Sequence, residues 1–163
     1  MRNYTNYNSN KYSSYTPKKP VKNFTDLEVY QKALECSVFV ANEIVKARKA
    51  QLSEIELYLS DLIIKNMLPC AMSIPHLIAE SHSKRFGEST ECLVILDQVM
   101  LKCNKMVVYL EQTRDILETG IETARFKEQI DKYFYTRRKV LNLQRVWRKY
   151  IIESSKSQFP ISK

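Results

Sequence analysis

Apolar residues recur every three or four positions from about residue 24 to about residue 153, and no stretch alternates strictly as a half-buried strand does. This period predicts four helices. The first opens in "TDLEVYQKALECSVFVANEIVKARKA", where Thr25 or Asp26 is placed to cap it and Glu28 stands three residues after Thr25, as in a capping box. Leu27, Tyr30, Leu34, Val38, Ala41, Ile44 and Val45 fall on one face. The second begins near Ser53 with Leu59, Leu62, Ile63 and Met67 inward, and runs into "LPCAMSIPHLIAESH". Pro69 and Pro75 there each remove a backbone hydrogen bond, at roughly 3 kcal/mol apiece, so the segment predicts a helix bent, interrupted or ended between shorter pieces. The third spans about Glu88 to Leu117, with Leu93, Leu96, Val99, Met100, Cys103, Val107 and Leu110 on one stripe. Gly120 breaks the chain, and the fourth runs from about Thr123 to Glu153. The expected fold is all-α: an antiparallel up-down-up-down four-helix bundle over residues 24–153.

Composition adds the limits. A chain of 163 residues supports one domain with a real core. Only two glycines, Gly87 and Gly120, leave little material for β-turns and nearly exclude a phosphate-cradling loop. Residues 1–23 hold almost no aliphatics and predict a disordered basic tail, whose tyrosines are suited to stack on bases. Residues 154–163 predict a short flexible tail. The first twenty residues carry no apolar leader, and no apolar run approaches the roughly 20 residues that span a bilayer. Cys36, Cys70, Cys92 and Cys103 are widely spaced with no C-x-x-C pair, which predicts buried reduced thiols in a cytoplasmic protein without a membrane partner.

Charge changes the picture more. The net charge of +8 is segregated: residues 1–24 carry five basic residues and no acid, residues 25–123 ten basic against fifteen acidic, and residues 124–163 eleven basic against three acidic. Positive charge at both ends points to a polyanionic partner, with nucleic acid ahead of an anionic membrane. In the fourth helix Phe126, Tyr133, Val140, Leu143, Trp147 and Ile151 share one side, while Lys127, Arg138, Arg145 and Lys149 point away from it. Arg137, Lys139 and Arg148 widen that cationic stripe, and these seven residues are the candidate contacts to RNA or DNA phosphates. The plainer reading of the stripe is a solvated helix face.

Catalytic chemistry finds little support. His76 and Glu80 lie four apart on a helix, but His82 lies six from His76 and there is no H-E-x-x-H spacing; surface histidines near a helix end are expected, and no metal site. No nucleophile elbow, P-loop or dinucleotide fingerprint occurs, and each cysteine falls on or beside an apolar stripe. The expectation is a protein without an active site or cofactor.

Several short stretches resemble one family. "LPCAMSIP" resembles the P-x-A-x-S-I-P element in the second helix of the accessory variability determinant (Avd) proteins of diversity-generating retroelements, and of the related four-helix proteins encoded in rRNA intervening sequences. Ser73 to Ser81 looks like the stretch that follows in those relatives. "FTDLEVYQKALE", Phe24 to Glu35, is similar to the opening of the intervening-sequence proteins, and "VLNLQRVWRKYI", Val140 to Ile151, to the Avd terminal helix. The chain departs at Leu77, where relatives often have Asn, at Ser81, often Gly, and at Arg148-Lys149, where many have Gly-Gly before Trp.

The resemblance implies a homopentameric barrel of four-helix protomers. It implies a non-catalytic accessory subunit that binds nucleic acid and partners a reverse transcriptase in mutagenic cDNA synthesis. The alternative it leaves is a structural homo-oligomer of the intervening-sequence type with no reverse-transcriptase partner.

Overall fold

The computed structural model describes residues 21–47, 53–85 and 90–157. The tail expected over residues 1–23 lies outside the described residues as far as residue 20, as do Gly87, Glu88 and residues 158–163. Among the described residues the chain is all-helical, with four α-helices and no strand: α1 Glu28–Phe39, α2 Glu54–Lys84, α3 Glu91–Ile116 and α4 Thr123–Ser157. The α4 helix therefore continues four residues past its expected end at Glu153.

A 3₁₀ turn, Phe24–Asp26, precedes α1 and carries its own capping box. The Asn23 side chain accepts the Thr25 N–H at 2.8 Å, and the Asp26 carboxylate accepts the N–H of Asn23 at 3.0 Å and of Lys22 at 2.9 Å. The box thus sits before the expected one, and α1 opens out of this turn with no side-chain cap of its own. Past Phe39 the helix widens into a π turn, Val40–Ile44, where the Val45 N–H donates to the Val40 carbonyl at 3.1 Å.

The buried face of α1 matches the expected one at Leu27 and Ile44 and differs between them. Val29, Ala33, Cys36, Val40 and Ile44 are inside, whereas Leu34 and Val38 are exposed. Two interleaved apolar stripes compete on this helix, and the one containing the small residues Ala33 and Cys36 lets neighbouring helices approach closely.

The α2 helix begins at Ser53, whose hydroxyl accepts the Glu56 N–H while the Glu56 carboxylate takes the Ser53 N–H at 2.8 Å. It then runs unbroken through both prolines, which corrects the expectation of an interruption or an end there. Each ring costs the carbonyl four residues earlier, at Lys65 and Ala71, its helical partner. Around the prolines α2 is fastened to α3: the Cys70 thiol reaches the Lys102 carbonyl at 3.7 Å, and the Ser81 hydroxyl donates to the Cys92 carbonyl at 2.7 Å. Pro75 is buried and Pro69 is exposed.

Both sides of α2 are apolar. Ile63, Met67, Ala71, Ile74 and Ile78 enter the core, but Tyr58 (67% exposed), Leu62 (50%) and Met72 face out, so Leu62 is not the core residue its spacing suggests. Averaged over 18 residues the helix reaches a mean hydropathy of 1.4, long and apolar enough to cross a membrane by length and composition, although contiguous apolar runs are short. The α3 helix repeats the pattern, with Leu93, Leu96, Val99, Cys103, Val107 and Leu110 buried as expected and Val94, Leu101 (55% exposed) and Val108 outward.

Gly120 adopts φ +71° in the α3–α4 connection, a left-handed conformation that side chains with a Cβ rarely take. The α4 helix then buries Phe126, Ile130, Tyr133, Val140 and Trp147, with Leu143 and Ile151 packed at the margin, as its pattern predicts. Gln144 fastens it to α3, donating from Nε2 to the Leu93 carbonyl at 3.0 Å and to Asp97 Oδ1 at 2.7 Å. All four cysteines are free thiols in the interior. Burial pushes the thiols of Cys36 and Cys103 up to about 12.

Candidate nucleic-acid interface

The outer surface of α4 is divided by what its cations touch. On the side facing α1 they are spent on carboxylates. Arg125 binds Glu43 at 2.6 Å and Glu128 at 2.9 Å, Lys132 binds Glu35 at 2.5 Å and Glu128 at 2.8 Å, and Lys139 binds Glu28 at 3.2 Å. The Tyr135 hydroxyl donates to Glu28 as well, and the Lys139 ammonium lies 5.1 Å from the centre of the Tyr135 ring. Hydrogen bonds from Lys132 lead the forces that hold the carboxyls of Glu35 and Glu128 below their ordinary values. This row ties α1 to α4 along its length.

The opposite flank is unspent. Lys127, Arg145 and Arg148 are exposed and make no ion pair among the described residues. Arg138 is exposed too, and its guanidinium stacks 5.8 Å from the Tyr135 ring. Lys149 has only Glu153, at 3.9 Å and on an exposed face, a contact of little strength. At about 100° per residue, Lys127, Arg138 and Arg145 share one line along the helix with Lys149 beside it.

The structure therefore sorts the seven sequence candidates. It brings together Lys127, Arg138, Arg145 and Lys149, with Arg148 at the edge nearer the bundle. It sets two apart. Lys139 is turned to α1 and paired, and Arg137 is half-buried with its Nε enclosed and without a protein partner. The sequence could not separate them, because Glu28, the partner of Lys139, lies at the far end of the chain.

Two aromatic residues belong to this surface and were not among the candidates. Phe134 is 52% exposed and stands on the cationic line, seven residues after Lys127 and four before Arg138. Tyr135 lies beneath Arg138. Together with Arg138, Asp131, Glu128, Lys132, Glu28 and Lys32 they line a surface groove of about 760 Å³, which reaches from the cationic line across the outer face of α4 to α1. The available signal was the spacing of Phe134 within the basic run.

Of the two histidines, both expected at the surface, only one is there. His82 is buried rather than a surface residue, packed between Phe24 (6.5 Å between ring centres) and Trp147 (6.3 Å), with Arg85 Nη1 2.8 Å from its Nδ1. His76 is exposed. Among the described residues no three His, Cys, Asp or Glu side chains are grouped to hold a metal ion. No protein-family model, curated protein or solved structure matches the chain.

Proposed function

We propose that this protein is a non-catalytic nucleic-acid-binding protein that docks phosphates along the outer flank of α4. One observation carries the reading: in a helix rich in cations, those facing α1 are neutralised, whereas on the outer flank Lys127, Arg138 and Arg145 share a line without an ion pair among the described residues and Lys149 beside them has only a 3.9 Å exposed contact to Glu153. Ordinary solvated faces mix their signs, whereas a line of unpaired cations releases counterions when it meets a phosphate backbone. The finer reading rests on the resemblance of the α2 and α4 sequences. In it the protein is an Avd-like accessory subunit of a diversity-generating retroelement, a cytoplasmic partner of its reverse transcriptase in mutagenic cDNA synthesis.

The proposal includes self-association of an up-down-up-down bundle as a homopentamer. Contacts between Ser81 and Cys92, Cys70 and Lys102, and Met67 and Thr113 support the antiparallel course of α2 and α3. The outward apolar residues of the same two helices support burial against a second copy.

The test is the triple substitution Arg138→Glu, Arg145→Glu and Lys149→Glu. None of the three enters the core, so circular dichroism is expected to stay the same. Affinity is expected to fall across all sequences, because phosphate contacts position without reading bases. For single strands the slope of log affinity against log salt is expected to flatten by about 2, from three contacts at about 0.7 each. A folded triple variant that binds as the parent does makes the stripe a solvated surface. A reverse-transcriptase gene with a template repeat beside this gene supports the finer reading; an rRNA insertion supports the intervening-sequence alternative.

A further inference from the structure

The cationic line on α4 contains a residue that phosphate binding does not need. Lys127, Phe134, Arg138 and Arg145 follow one another at spacings of seven, four and seven, so an exposed phenyl ring sits between cations on one flank. Along the axis the four span about 27 Å at a rise of 1.5 Å per residue. An apolar ring left 52% exposed here costs hydration and gives nothing to a backbone contact.

The groove beside it points the same way. Tyr135 and Arg138 are already stacked, at 5.8 Å, and line the same groove as Phe134. Asp131 stands in the same groove with no ion pair among the described residues. A carboxylate repels a phosphate, but it accepts hydrogen bonds from the amino edge of a base. Cations outside and flat, partly acidic walls inside suit a strand whose phosphates run along the helix while a base turns in. A duplex offers a helix its phosphates and base edges but keeps its ring faces stacked away. Single strands are bound by this combination of a basic track and aromatic platforms.

We propose that the α4 surface takes single-stranded nucleic acid, with one base stacked on Phe134 and its amino edge toward Asp131. This rests on the phosphate-binding reading above and goes beyond it in naming the strandedness and the stacking residue. RNA and DNA are expected to bind alike, since neither a ring face nor a phosphate contact reads the 2′-hydroxyl.

The experiment uses the full chain with a mixed-sequence single-stranded oligonucleotide, its RNA counterpart and the corresponding duplex, with a 2-aminopurine version to report stacking. The parent is expected to prefer the single strands and to quench 2-aminopurine. Phe134→Ala is expected to weaken single-strand binding by at least about five-fold, leave the salt slope and the duplex affinity unchanged, and abolish quenching. Phe134→Trp is expected to restore both binding and quenching. Equal binding by Phe134→Ala and the parent, or a preference for duplex, overturns the inference while leaving phosphate binding intact. A parent that binds no nucleic acid overturns both.

Discussion

Replacing Tyr133 by Phe deletes one oxygen from the centre of the bundle, and the expected outcome is a more stable protein. Tyr133 is 1% exposed, its hydroxyl makes no hydrogen bond to any protein group, and burial pushes its ionisation well above the ordinary value. An enclosed polar group without a partner costs about 1–3 kcal/mol, and removing it while keeping the ring recovers that amount. In a domain of this size each kcal/mol moves the melting temperature by about 2–4 °C. Thr136, one turn on and fully buried, also has an unpartnered hydroxyl, so Thr136→Val is expected to act in the same direction. Ser81 is the control. It is equally buried, but its hydroxyl donates to the Cys92 carbonyl at 2.7 Å, and Ser81→Ala is expected to destabilise by about 1 kcal/mol. Urea denaturation of the three variants with a common slope measures each sign. If Tyr133→Phe and Ser81→Ala destabilise equally, the Tyr133 hydroxyl is satisfied and the reasoning fails.

Other consequences follow from groups already described. Burial, and secondarily Arg85, holds His82 below its ordinary 6.5, with Asp26 opposing in part. The unfolded chain therefore takes up a proton at a higher pH than the folded one: this stability is complete above about pH 6.5 and lost as pH falls below it. Urea midpoints from about pH 7.5 to about pH 5 should show the decline, and His82→Leu should flatten it. Pro69→Ala is expected to stabilise, by up to about 3 kcal/mol, since the ring is exposed; Pro75→Ala gains less, because the buried ring leaves a cavity. Thermal melts of the two separate the cases. The four cysteines should resist an aromatic disulfide reagent in the native protein and all react in denaturant, and fast native reaction of Cys36 or Cys103 would contradict their enclosure.

How much could be read from the sequence depended on how many faces of a helix are apolar. The buried residues of α4 were legible because its other faces are polar and the stripe from Phe126 to Trp147 has one interpretation. The inner stripe of α3 was legible for its length and regularity. On α1 two stripes fit the same spacing, and the winner is set by the small side chains of Ala33 and Cys36, a question of how near a neighbouring helix comes. On α2 apolar residues lie both inside and outside, so spacing placed Ile63 and Met67 correctly and Leu62 wrongly. The candidate interface was legible as a run of cations. Its division was not, because Lys139 is removed by Glu28, a partner remote in sequence that only the folded chain brings near; the burial of His82 between Phe24 and Trp147 was hidden for the same reason.

The two-sided character of α2 has a consequence for the chain as it is made. Synthesis completes α2 before any residue of α3 exists to cover it, so for that interval an apolar helix of 31 residues has only α1 for company. By length and mean hydropathy it resembles a segment that the insertion machinery of a membrane accepts. Asp61 and Lys65, an ion pair at 3.6 Å in the first half of the helix, interrupt it. A charge at the centre of an inserting helix adds about 2.5–3.5 kcal/mol against entry, and these two, nearer one end, add less. In the folded bundle their contact to each other is partly exposed, and a pair of that kind contributes little. The effect expected of them is on sorting: with both replaced by leucine, a larger share of nascent chains is expected in the membrane fraction of a translation reaction.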